Sequence, residues 1–438
     1  VRRVLRAIFS RALRIFFRRI EVEGARNVPS EGPVIFVANH PNSLVDPLLL
    51  LCFAPRRVSF LAKAPLFRMP LIGPFVKAFD SIPVHRQQDA GTDLSKNRET
   101  FETARRLLAR GGALALFPEG ASHDAPKLLP MKTGAARIAL GAAAEEAAPR
   151  IVPAGLYYTW KQRFRSDALV LFGEPFAVER VHLDERGNPP GAAVHALTDS
   201  IGAALGALTL QAETAETLAL VRTAERIFAS GPEPLADELA LRRRFADGHR
   251  SLSAGNPGRL AAISRQIERF EAGRTAAGLS LEDLEPSALG AGGVARLAGQ
   301  NAGALLLFPL AIAGAVVHYP AYRLAGFIAR RIVPPGEDVL ATAKVCLAML
   351  LFPATWIACA AAAFRFAGWP GAAAALVLIP LTGWSALVGA EALQTVAGRA
   401  WALYHLVFRR AAMSRLLARR AAIRRQILEL SDLVPEQR

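Results

Sequence analysis

The sequence predicts an α/β unit with a mainly parallel central sheet, followed by a helical region and a transmembrane helical hairpin. Three observations predict it. Short apolar runs alternate with helix-period stretches from about residue 21 to residue 176, the pattern of strands joined by crossover helices. Residues 186–300 keep only the helical period. Residues 345–364 and 371–390 carry few charges, and each is about as long as a bilayer core requires.

Composition supports more than one part. The chain has 438 residues, 52% of them hydrophobic, and 53 Lys and Arg against 37 Asp and Glu leave a formal net charge of +16. Such a balance suits an anionic membrane surface, phosphorylated ligands or nucleic acid. Nucleic acid is disfavoured as a partner, because no reading motif accompanies the charge and the apolar content points to membrane lipids. Cys52, Cys346 and Cys359 lie in apolar runs without paired spacing. They predict neither a disulfide framework nor a zinc site.

Residues 1–20 place Val4, Leu5, Ile8, Phe9, Leu13, Phe16, Phe17 and Ile20 at helical spacing, with seven Arg on the other face. We read this stretch as a basic amphipathic helix in the headgroup layer; the alternative is a surface helix packed on the following domain. Within 21–185, strands are expected at 34–38, 58–62, 113–117, 151–157 and 168–172. Helices are expected between them at 48–53, 94–110 and 134–144.

Four constellations fall at strand ends here. After the apolar run 34–38 come Asn39, His40, Asn42, Ser43 and Asp46, set between two core elements. A His and an Asp so placed can be a base and the group that fixes its tautomer; they can also be a turn residue and a helix cap. The second constellation runs from Lys63 to Arg86, and the third from Ala115 through Phe117-Pro118-Glu119-Gly120 to Lys132. The fourth is Ile151-Val152-Pro153-Ala154-Gly155. Gly120 permits close backbone approach to a ligand. Lys63, Arg68, Arg86 and Lys132 are each unremarkable as single surface charges; together in connections they suit a phosphate. No His and carboxylate cluster has metal-ligand spacing, so no metal is expected.

In their order and separations these blocks resemble the glycerophospholipid acyltransferase (PlsC-like) family. The matching features are Asn39-His40 with Asp46, a Gly–Arg block between Lys63 and Arg86, Phe117-Pro118-Glu119-Gly120, and Val152-Pro153. Five residues separate His40 from Asp46 where most members have four, and Ala121-Ser122 stands where most have Thr-Arg. Both departures are similar to the yeast-type glycerol-3-phosphate and dihydroxyacetone-phosphate acyltransferases. That branch also shares the string Pro118 to Asp124, Leu128-Leu129-Pro130-Met131-Lys132, Phe164-Arg165-Ser166 and Gly173-Glu174-Pro175.

The resemblance implies an O-acyltransferase of phospholipid biosynthesis. His40 would be the general base and Asp46 its orienter. Glu119, Gly120, Ser122, Lys63, Arg86, Lys132 and Arg165 would be substrate-binding, with Glu119 taking an acceptor hydroxyl or ordering the loop. A backbone N–H near Gly120 is a candidate oxyanion donor. The implied partners are an acyl thioester donor, acyl-CoA or acyl carrier protein, and a phosphorylated glycerol acceptor; no cofactor is implied. Glycerol 3-phosphate is favoured over dihydroxyacetone phosphate and lysophosphatidate. A catalytically silent lipid-binding protein keeping the fold is the competing reading. His85 and His123 have no evident partner and are read as structural or hydrogen-bonding rather than catalytic.

Downstream, helices are expected at 199–228, 237–245 and 258–274, and a linker at about 282–293. Within the membrane region 301–398, the segment 304–317 is shorter, contains Pro309 and ends in His318-Tyr319-Pro320, so it is read as re-entrant or interfacial. A two-span hairpin keeps Arg323, Arg330, Arg331 and the basic tail 399–438 on one side, the cytoplasmic side by the positive-inside rule. The expected location is a bacterial inner membrane, with the site facing the cytoplasm.

Overall fold

The computed structural model describes residues 1–68, 73–85, 97–229, 233–281, 284, 299, 307–333 and 340–431. The chain forms two compact units. One comprises Val1–Glu213, Pro234–Leu239 and Val333–Val345; the other comprises Thr214–Glu233, Ala240–Ile332 and Cys346–Arg438.

The first unit is α/β. Its elements are α1 (Arg2–Phe16), β1 (Phe17–Glu23), β2 (Val34–Ala38), α2 (Val45–Phe53), β3 (Ser59–Lys63), α3 (Gly73–Ala78), β4 (Ile82–Val84) and α4 (Asn97–Ala109). There follow β5 (Ala113–Leu116), α5 (Gly134–Ala144), β6 (Arg150–Tyr158), β7 (Ser166–Phe172), β8 (Phe176–Ala177) and α6 (Gly191–Leu208). The sheet order is β1-β7-β6-β2-β5-β3-β4, with β8 on β6. Among the described residues only β6 pairs antiparallel, with β7 and β8, and the other pairings are parallel.

Strand β2 is buried along its whole length, as an apolar run covered on both faces must be. Helix α5 turns Ala135, Ala136, Ile138, Ala139, Ala142 and Ala143 into the core, where small side chains let it lie close to its neighbours. Because β2, β3 and β5 are parallel, the segments after Ala38, Lys63 and Leu116 emerge at one edge of the sheet. Ligands of open α/β sheets bind at that edge.

The second unit is helical: α7 (Ala215–Phe228), most of α8 (Leu235–Gly255), α9 (Pro257–Ala276), α10 (Phe308–Ile332), α11 (Leu340–Phe408) from Cys346 onward, and α12 (Arg410–Ser431). Ile227, Ile263, Ile267, Phe270, Met413, Leu416 and Ile423 form one of its cores. Helix α11 is long and apolar enough to cross a membrane, and its regular course breaks at Gly368 (φ 60°, ψ −156°). The His318 ring accepts from the Trp356 indole N–H at 3.0 Å and lies against Gly383. A straight helix would hold Trp356 and Gly383 ~40 Å apart. The helix therefore doubles back at Gly368, between the two segments expected to span.

Several boundaries differ from the sequence expectation. The helix expected over 1–20 ends at Phe16, and Phe17–Glu23 is an edge strand because β7 offers it a parallel partner. Phe9, Leu13 and Phe16 of α1 are buried. Much of its apolar face therefore packs on protein, leaving Val1, Val4 and Ile8 exposed. The single helix expected at 199–228 is two, because Thr214 caps α7 by accepting the Thr217 N–H. Helix α6 adds Val194, Ile201 and Leu205 to the α/β core, so that unit continues past the expected boundary at 185. The apolar segment expected to stop near Pro320 continues through it to Ile332. The second limb runs to Phe408, past the expected 390.

Candidate active site

The connection from β2 to α2 carries the two residues on which the sequence reading turned. His40 Nδ1 and Asp46 Oδ2 are 2.8 Å apart. An ionised carboxylate only accepts, so the proton sits on Nδ1 and Nε2 presents a lone pair. The extra residue between them is absorbed in a bend, with Ser43 in the left-handed region at φ 44°. Asp46 is not a cap; it lies in the first turn of α2, where the helix dipole favours a negative charge.

Asp46 is fully buried and needs donors. It has three: His40 Nδ1, the Asn42 N–H at 2.6 Å on the same Oδ2, and the Tyr158 hydroxyl on Oδ1. Burial first, and Asp46 second, push the Tyr158 phenol well above the ordinary tyrosine range. Tyr158 thus stays a protonated donor. The His40 ring stacks on Phe117, with centroids 4.0 Å apart and planes 12° from parallel.

The Phe-Pro-Glu-Gly turn supports the loop. Glu119, also buried, accepts the His40 backbone N–H at 2.8 Å through Oε1, and the Leu129 N–H at 2.9 Å and His123 Nε2 through Oε2. Its oxygens order two loops, the second of the two roles expected for it. His123 uses both ring nitrogens in hydrogen bonds, since Nδ1 accepts the Ala125 N–H. The Gly120 N–H donates to Phe117 O at 3.0 Å. It is therefore committed to the turn.

Three residues lock this arrangement, of which sequence reasoning named only Asn39 and gave it no role. Asn39 continues the β2–β6 ladder with its side chain, accepting from Leu156 N at 2.7 Å and donating to Leu156 O at 3.0 Å. Lys161 donates to Pro41 O, His123 O and Asp124 Oδ1. Tyr158 is the third. Asn39 was legible as the residue before His40; nothing local marks the other two.

The expected substrate-binding residues divide. Lys63 ends β3 at the same sheet edge. Lys132 lies against Gly120, and its N–H donates to Pro118 O at 2.6 Å. Ser122 is half-buried in the turn after Gly120. Arg165 directly precedes β7, and its guanidinium donates to the carbonyls of Arg14 and Ile15 at the C-terminus of α1. Arg86 lies outside the described residues. Among the described residues no group of His, Cys, Asp and Glu could hold a metal ion. Burial pushes the Cys52 thiol up to about 12, so it is no nucleophile at neutral pH.

The arrangement can accept a proton at Nε2 and hold the resulting imidazolium against a buried carboxylate. The family model described as Acyltransferase matches residues 19–157. Glycerol-3-phosphate O-acyltransferase 1 of Saccharomyces cerevisiae is 26% identical over 78% of this chain and 58% of its own length. Glycerol-3-phosphate O-acyltransferase 2 of the same yeast is 37% identical over 30% of this chain and 18% of its own length. A lyso-ornithine lipid O-acyltransferase of Brucella abortus is 34% identical over 33% of this chain and 52% of its own length. The chain thus spans no more than 58% of these relatives. Over residues 19–157 it carries an acyltransferase domain of the PlsC-like family.

Proposed function

We propose that this chain is a membrane-bound O-acyltransferase that moves a fatty acyl group from an acyl thioester to glycerol 3-phosphate. The carrying observation is the His40–Asp46 pair, whose geometry leaves Nε2 as the basic edge of the imidazole. In the proposed step the acceptor hydroxyl gives its proton to Nε2 as its oxygen attacks the thioester carbonyl carbon. The tetrahedral intermediate then expels the thiolate, which takes the proton back from the imidazolium. Asp46 steadies that cation, and no acyl-enzyme is needed. A base of this kind contributes on the order of 10² to 10⁴ in rate.

Lys63 and Lys132, at the edge where His40 emerges, are the proposed phosphate contacts. Dihydroxyacetone phosphate and lysophosphatidate are the competing acceptors, and acyl-CoA and acyl carrier protein the candidate donors. No cofactor takes part in this scheme. Membrane attachment is supported by the apolar helix α11 with its reversal at Gly368, and by the exposed Val4 and Ile8 beside Arg3 and Arg11 on α1. The proposed orientation keeps the catalytic unit and the basic tail on the cytoplasmic side. Membrane fractionation of the native host tests the expected bacterial inner membrane.

The deciding experiment incubates purified protein with labelled acyl thioester and a panel of the three acceptors, for wild type and His40→Ala. Product on glycerol 3-phosphate from the wild type, lost in a folded variant, supports the proposal. Equal product from both would remove His40 from the mechanism.

A further inference from the structure

The β2–α2 connection is held from a second, distant segment. The Leu44 N–H donates to Thr342 Oγ1 at 3.2 Å. Leu44 is the N-cap of α2 and makes no side-chain cap, so the start of this helix draws its hydroxyl from elsewhere. Lys344 lies two residues beyond Thr342, and its Nζ donates to Gln162 O at 2.9 Å. Gln162 follows Lys161, whose Nζ donates to Pro41 O and whose carbonyl accepts from Asn42 Nδ2 at 3.1 Å. Residues 41–44 are thus gripped at both ends by contacts that lead to the first turns of α11. Both residues belong to Val333–Val345, part of the α/β unit, and both lie outside the match at 19–157.

The grip has a physical reason. Ser43 sits at φ 44°, a conformation that a non-Gly residue keeps only when its surroundings over-determine it. The same bend brings Asp46 to His40.

Resting on the function proposed above, we infer that Thr342 and Lys344 are positioning residues for acyl transfer. They hold the left-handed bend that sets the His40–Asp46 geometry. The segment leading into the apolar helix is on this account part of the catalytic apparatus, though neither residue touches substrate.

The test uses the full chain in detergent or lipid nanodiscs and compares wild type, Thr342→Val, Thr342→Ser and Lys344→Met. Thr342→Val removes the acceptor at nearly constant shape. Its kcat is expected to fall about three- to tenfold, the range for one neutral hydrogen bond, with KM for the thioester unchanged. Thr342→Ser restores kcat, and Lys344→Met behaves as Thr342→Val does. Amide hydrogen exchange at Leu44 is expected to quicken in Thr342→Val and to recover in Thr342→Ser. An unchanged kcat, an effect on KM alone, or unchanged exchange at Leu44 in Thr342→Val overturns the inference. Should His40→Ala match the wild type in product formation, the proposed function fails by itself, while Leu44 exchange still decides whether the grip exists.

Discussion

Tyr158 donates its phenolic proton to Asp46 Oδ1, the carboxylate oxygen that His40 leaves unused. The buried anion is thereby met on both oxygens, and its charge is kept available to the imidazole.

Replacing Tyr158 with Phe leaves one oxygen of a buried carboxylate without that donor, at a cost of about 1–3 kcal/mol. Chemical denaturation should report this loss, and kcat should fall with it. The raised phenol pKa fixes a sign as well. Its stabilisation is fully present below the ordinary tyrosine pKa. It is lost as pH rises past that value toward the folded one, because the unfolded chain then binds fewer protons. Of the five tyrosines, Tyr158 should stay silent in a phenolate absorbance titration of the folded protein. Wild type and Tyr158→Phe should therefore give equal amplitudes in the ordinary tyrosine range.

Gly120 sits at φ +76°, and a Cβ there would meet Lys132 Cγ at 3.2 Å. Gly120→Ala is expected to cost about 1–2 kcal/mol from the left-handed backbone, read as a lowered denaturant midpoint. Gly134→Ala, at a helical position with open space around it, is the matched control and should not destabilise.

His318 donates from Nδ1 to Gly314 O at 2.8 Å and accepts the Trp356 N–H on Nε2. A double-mutant cycle on His318→Ala and Trp356→Phe should give a coupling of about 0.5–1.5 kcal/mol, the scale of one hydrogen bond. Additivity within error would show that the contact does not help to hold α10 to α11.

The His40–Asp46 pair was legible because both residues lie in one short connection between apolar runs, and a polar pair so placed has few ways to be buried. What completes it was not. Tyr158 arrives from 112 positions away, and Thr342 from 298. A hydroxyl at such a distance carries no local mark of its partner. The same holds for β1. Phe17–Glu23 continues the apolar and basic pattern of α1, and only the arrival of Ser166–Phe172 makes it a strand. The Phe-Pro-Glu-Gly turn was readable as a turn after an apolar strand, whereas the division of labour within it was not. Glu119 spends its oxygens on three protein N–H groups from residues 40, 123 and 129. Helix α5 was found with its observed limits because its alanines repeat at helical period between Gly134 and the acidic pair that follows.

Phe117 forms a floor under His40, its ring nearly parallel to the imidazole at 4.0 Å. The contact covers one whole face of the imidazole. The same floor stops the ring from pivoting out of its plane, so the lone pair on Nε2 points along one fixed line. One stretch of chain thus supplies the imidazole, and a second, more than seventy residues later, fixes the plane in which it lies.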